Sequence, residues 1–247
     1  GRTDGLFVPQ MPILLTAAGE NAKITVLANI VILAGGGIMS EKAEPVHSTK
    51  EKILRQAREE FLNKGYRDLS LRGLCGKLGL TTGSFYRYFP SKEALFDELV
   101  RPCARRLNQY VGPVEGGPPW PAHMLKIEIQ RLMTNTLINT IYDDYELYRL
   151  LFTRAQGSAY EGFEERLAAR YGGLWLELWR ELSAGGRVSR RLPESAVCCL
   201  AGNVIRLLLM IFEREMDRRE ALEYGECLLE YCYSGFRGLT GIDLSMI

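Results

Sequence analysis

Between Leu74 and Lys92 the chain reads LCGKLGLTTGSFYRYFPSK, two short helical runs hinged at one glycine. Leu74, Cys75 and Leu78 recur at helical spacing until Gly79 ends the first run, and Thr81 caps the second. That second helix is predicted through Tyr88, with Phe85 and Phe89 turned inward and Pro90 as its stop. Upstream, Ser70 caps the first of these runs, whose inward face also includes Leu71. Before it, Ser48 or Thr49 opens a helix with Ile53, Leu54, Ala57 and Phe61 on one side and Gly65 just past its end. Ser91 then begins a longer helix carrying Ala94, Leu95, Phe96 and Leu99, in which Pro102 is a candidate kink. Two short helices joined by a tight turn and braced by a third form a helix-turn-helix unit.

Such a unit places its second helix in a major groove about 12 Å wide, with the N-terminal side chains toward base edges. Thr82, Ser84, Arg87 and Tyr88 have the hydrogen-bonding groups for that task, and Gly83 permits close backbone approach. Tyr66, Ser70, Arg72, Tyr86 and Lys92 flank the helix as candidate phosphate contacts. The charge distribution agrees. The 247-residue chain has a net charge of only +1, but residues 47–110 hold 13 Lys and Arg against 7 Asp and Glu. A basic segment inside a balanced chain is the footprint of a phosphate-binding module.

The passages GYRDLS (65–70), LCGKLGLT (74–81) and TGSFYRYFPSKEAL (82–95) resemble the signature of TetR-family transcription regulators. The resemblance implies an all-α fold: an N-terminal three-helix helix-turn-helix DNA-binding domain, then a helical-bundle ligand-binding and dimerisation domain. It implies phosphate contacts from Tyr86 and Lys92, and base or backbone contacts from Thr81, Thr82, Gly83, Ser84, Arg87 and Tyr88. Two departures stand out. Gly73 and Gly76 lie inside the second helix, each costing roughly 1 kcal/mol against alanine. Cys75 replaces the usual small alanine.

The expected domain boundaries are a leader over residues 1–46, a DNA-binding head over 47–95 and a bundle over 96–247. In the leader, residues 24–34 are apolar but too short to span a bilayer, which needs about 20 apolar residues. Met39 followed by SEK reads as a native start, making residues 1–38 leader or added sequence. After a loop at 112–121 (GPVEGGPPWP), long helices are predicted at 122–142, 144–156, 159–184, 194–215 and 217–238. No stretch alternates well enough for a sheet.

Residues 193–212 are apolar almost all round and must be covered on every face. By resemblance, this helix and the last one pair with their copies as a homodimer. The middle helices offer inward aromatic and polar candidates for a ligand pocket: Met133, Asn135, Tyr142, Tyr148, Phe152, Gln156, Trp175 and Trp179. Asn135 interrupts an apolar helix, so its amide needs a partner, either a neighbour or a ligand.

Six cysteines without a C-x-x-C pair and two histidines give little for a zinc site or a Cys–His catalytic pair. No cofactor, metal or catalytic residue is expected, and Glu161, Glu164 and Glu165 read as a solvated helix face. The expected protein is a cytoplasmic, ligand-responsive repressor. It binds a palindromic double-stranded operator as a dimer, with an unknown small-molecule effector and no membrane association. The alternative is an activator, or a ligand-independent regulator with a vestigial pocket.

Overall fold

Side-chain caps open each of the first four described helices, at the serines and threonine where the sequence places them. In the computed structural model, which describes residues 48–112 and 125–242, the first helix, α1, spans Thr49–Asp68. Ser48 and Glu51 close a reciprocal capping box, each backbone N–H donating to the other's side chain. Gly65 leaves the helical path at φ +79°, the left-handed region that favours glycine, before a last short turn to Asp68. The expected leader over 1–46 lies outside the described residues, as does nearly all of the 112–121 loop.

Helix α2 spans Leu71–Lys77, its first turn capped by the Ser70 hydroxyl, which accepts from Gly73 N. Helix α3 is Thr82–Phe85, with Thr81 Oγ1 accepting from Ser84 N at 3.1 Å. It is shorter than the sequence implies. The Phe85 carbonyl takes both the Tyr88 and Phe89 N–H groups, so the chain tightens into a turn ahead of Pro90. Helix α4 spans Lys92–Tyr110 behind the Ser91 cap and runs through Pro102 without a break.

The bundle follows as α5 (Ile127–Asp143), α6 (Tyr145–Thr153), α7 (Phe163–Ala184), α8 (Glu194–Glu213) and α9 (Arg218–Thr240). Among the described residues there is no strand. Helices α6 and α7 are separated by more chain than expected. Gly157 and Gly162 adopt φ values of +87° and +70°, and the turns they allow replace the helical ends at 154–156 and 159–162. Asp217 and Glu220 form a second capping box at the start of α9.

One continuous core runs from the head into the bundle. Ile53, Phe61, Phe85, Phe89 and Phe96 are fully buried, and the same cluster includes Tyr148, Leu151 and Ile211. Each such side chain contributes roughly 1.5–3 kcal/mol. A second, smaller cluster holds Leu125, Leu178, Leu182 and Ile242. Helices α7 and α8 approach most closely through small residues. A Cβ on Gly172 would lie 2.6 Å from the Cys198 carbonyl oxygen, and one on Gly202 would lie 3.1 Å from that of Ala168.

Candidate nucleic-acid interface and bundle cavity

Helix α3 is held from behind by aromatic side chains. Phe85 and Phe89 are buried with ring centroids 5.8 Å apart, and Phe85 meets Tyr86 edge-on at 5.6 Å. With these rings anchored, Thr81, Thr82, Gly83, Tyr86, Arg87 and Tyr88 are all exposed, Tyr86 by 54% and Tyr88 by 42%, and Ser84 is half-buried. Large exposed aromatics beside an exposed arginine, in the turn directly after a helix only four residues long, form a surface shaped for contact. The Thr81 and Ser84 hydroxyls lie 2.9 Å apart, leaving their remaining hydrogen-bonding capacity to solvent or a ligand.

The flanking residues divide into two groups. Ser70 and Arg72 are exposed beside α2. Tyr66 and Lys92 instead serve the joint between α1 and α4. The Tyr66 ring lies 5.1 Å from Phe96 and 6.1 Å from Phe61. Burial, and then its hydrogen bond to the Glu93 carboxylate, pushes its phenol up to about 12. The Lys92 ammonium sits 4.5 Å from the centre of that ring and donates to the carbonyls of Tyr66 (2.8 Å), Arg67 (3.2 Å) and Leu69 (3.3 Å). A cation on the last carbonyls of a helix satisfies orphan acceptors and opposes the macrodipole.

One residue that sequence reasoning passed over completes the head. Glu60 is 4% exposed on the inner face of α1, and its carboxylate pairs with Lys64 at 2.8 Å and with Lys77 of α2. Hydrogen bonds from Lys64 and Lys77 hold its carboxyl below the usual range, against the opposing effect of burial. The signal was present: Glu60 is an acidic residue on the apolar stripe of Ile53, Ala57 and Phe61.

The head is fastened to the connection between α6 and α7. The Tyr66 N–H donates to the Arg154 carbonyl at 2.8 Å, the Ala159 N–H to the Glu93 carboxylate at 3.0 Å, and the Tyr160 hydroxyl to Asp97 at 2.6 Å.

The bundle contains a cavity of about 310 Å³ between α8 and α9, floored by Tyr110, Thr134, Tyr171 and Trp175. Of the eight pocket candidates, Trp175 is the one that lines it. The other seven lie outside it. Tyr148 is fully buried in the main core, and Trp179 is buried against Phe236 at 6.2 Å. Phe152 packs on Phe163 and Phe212, and the Tyr142 hydroxyl donates to the Met216 carbonyl at 2.7 Å. Asn135 Nδ2 donates to Glu226 at 3.1 Å, so a neighbour supplies that partner, while its Oδ1 is buried without one. Met133 is half-buried away from the cavity, and Gln156 is exposed.

Among the described residues no group of three or more His, Cys, Asp or Glu is placed to hold a metal ion. Cys103 is buried, and burial pushes its thiol up to about 12. Glu164, expected on a solvated face, is half-buried and raised by burial, then by Glu165.

Residues 53–99 match the family model described as bacterial regulatory proteins, tetR family. Over these residues the chain is similar to the DNA-binding head of the TetR family. The regulator UidR of Escherichia coli K12 is 33% identical to this chain over 79 residues, which are 32% of the chain and 39% of UidR. The chain thus spans about two fifths of the length of this relative. Among solved structures, the TetR-family member SCO3833 of Streptomyces coelicolor is similar over 81% of this chain and 96% of its own, at 16% identity and a TM-score of 0.53. The ketosteroid regulator KstR2 of Mycobacterium tuberculosis covers 79% and 98%, at 20% identity and a TM-score of 0.52. At such identities the two structures support the TetR-family fold alone: an all-helical chain with a helix-turn-helix head ahead of a helical bundle.

Proposed function

We propose that the protein is a cytoplasmic, dimeric, ligand-responsive repressor that binds a palindromic operator, with residues 47–95 as the reading head and 96–247 as the effector and dimer domain. The carrying observation is the exposed face of α3 and the turn after it, with Tyr86, Arg87 and Tyr88 exposed and Phe85 and Phe89 buried. In this reading Thr82, Ser84, Arg87 and Tyr88 meet base edges with Gly83 close to them. Thr81, Ser70, Arg72 and Tyr86 face the phosphate backbone. Tyr66 and Lys92 act mainly by holding the head together.

Dimerisation is supported by α8. It is the one described helix long and apolar enough to cross a membrane by length and composition. It packs on α7 through Gly202 yet leaves Leu200 and Leu207 exposed, next to the exposed Leu239 and Tyr231 of α9. A helix so apolar requires cover, and a second copy offers it with two-fold symmetry. Two heads related by that axis read two half-sites a helical turn or more apart.

The test is selection of bound genomic DNA with purified protein, followed by footprinting and a transcription assay. The expected result is a two-fold symmetric footprint and repression relieved by an effector. Activation in the assay, or a footprint without symmetry, rejects the corresponding part of the proposal.

A further inference from the structure

We infer that the elbow between α5 and α6 couples the reading head to the α8–α9 turn, and so sets how far apart the two heads of a dimer stand. This rests on the proposal that α8 and α9 form the dimer contact. Arg149, Asp144 and Glu146 are then positioning residues, acting on an operator only through the head.

Contacts along residues 142–149 go in two directions. One set reaches the turn between α8 and α9. The Tyr142 hydroxyl donates to the Met216 carbonyl at 2.7 Å, Arg218 donates to the Asp143 carboxylate at 2.7 Å, and Arg149 meets Glu215 at 3.4 Å. The other set reaches the helices that carry the head. Asp144 accepts from Arg106 of α4 at 2.7 Å, and Glu146 pairs with Arg58 of α1 at 2.5 Å. At the far end of α6 the Arg154 carbonyl takes the Tyr66 N–H at 2.8 Å.

The α8–α9 turn is itself held in an unfavourable shape. Glu215 stands at φ +50°, the one non-glycine residue in the left-handed region among the described residues. Such a conformation persists where its surroundings over-determine it, and Tyr142, Asp143 and Arg149 grip the turn on and around that residue. The four ion pairs are part-exposed, with side chains between 34% and 74% accessible. Each is therefore worth a factor of only roughly 1.4 to 5 in an equilibrium. Their consequence is geometric: α1, α4 and α6 cannot turn against the hairpin without breaking them. None of residues 142–149 lines the bundle cavity, so this route from dimer contact to head is separate from it.

The test selects DNA from a random duplex library with the purified full chain. Competition binding then compares duplexes whose half-site spacing differs by one and two base pairs. Each added base pair separates the half-sites by about 3.4 Å and turns one against the other by about 34–36°. Arg149→Glu sets like charges at the turn, and Arg149→Glu with Glu215→Arg restores an ion pair there. A dimer holds two copies of the pair, so the preference for the best spacing should fall roughly two- to thirtyfold in Arg149→Glu. The half-site sequence should stay the same, and the double variant should recover most of the preference. Without DNA, the Tyr66 amide should exchange its hydrogen faster in Arg149→Glu and recover in the double variant. The inference is overturned if Arg149→Glu keeps the wild-type spacing preference, weakens every spacing equally, or is not rescued by Glu215→Arg. If no two-fold symmetric site is selected, hydrogen exchange decides. A Tyr66 amide that responds and recovers sustains the coupling and rejects the operator proposal, and one that does not respond overturns the coupling.

Discussion

Replacing Glu60 with glutamine keeps the shape of the side chain and removes the charge that ties α1 to α2. The carboxylate is buried, whereas Lys64 and Lys77 are about half exposed, at 50% and 54%. Hydrogen bonds to charged groups contribute about 1.5–3 kcal/mol when well sheltered. With one end of each pair in solvent, the contribution falls toward the ~0.2–1 kcal/mol of exposed ion pairs. Freed lysines can turn outward, so no unpaired charge stays buried. The expected loss for Glu60→Gln is therefore about 1–2 kcal/mol at pH 7. The pH dependence has a definite sign. The folded carboxyl titrates below its ordinary 4.5, so its contribution is present above that value and fades as pH falls through the lowered one. Urea unfolding of wild type and variant, at one protein concentration and at several pH values between 7 and 3, measures both effects. A variant as stable as wild type at pH 7, or a gap that widens toward pH 3, refutes this account of the head.

Gly76→Ala should stabilise the protein by about 0.5–1 kcal/mol in thermal melts, since its Cβ would meet nothing within 4 Å. Gly172→Ala should cost about 1–3 kcal/mol by driving α7 from the Cys198 carbonyl, whereas Gly173→Ala, with open space around it, should not. Lys92→Met should lower stability in the absence of DNA by about 1–2 kcal/mol, because three carbonyls lose their donor. Arg87→Ala should leave melting unchanged and cost about 1–3 kcal/mol in operator affinity, with specificity relaxed at one base pair in a binding selection.

The head was legible because its signals are local. A cap is one hydroxyl three residues before the N–H it accepts, and Ser48, Ser70, Thr81 and Ser91 each occupy that position. The inward pair Phe85 and Phe89 follows from helical spacing alone. The cavity was not legible, because its walls come from α4, α5, α7, α8 and α9, and no spacing within one helix says which face of another it will meet. Tyr148 and Trp179 carry the same composition cues as Trp175 and are consumed by core packing. Lys92 shows a subtler limit. Its place after the Ser91 cap marks it as a basic residue near the head, while the three carbonyls it serves lie 23 to 26 residues earlier in the chain.

A ligand in the cavity reaches the head directly only through elements that touch both, and two helices meet that condition. Helix α4 begins at Lys92 beneath the head and ends at Tyr110 in the cavity floor, roughly 27 Å away at 1.5 Å per residue. Helix α7 carries Tyr171 and Trp175 in the same floor and starts at Phe163, directly after the turn whose Ala159 and Tyr160 hold Glu93 and Asp97 of α4. The two form a closed frame, joined at the head by hydrogen bonds and at the far end by the cavity walls. A ligand shifts such a frame only by its difference in affinity for two arrangements of it, however tightly it binds either one. The bonds at Glu93 and Asp97 are therefore where coupling to DNA should be lost without loss of ligand binding.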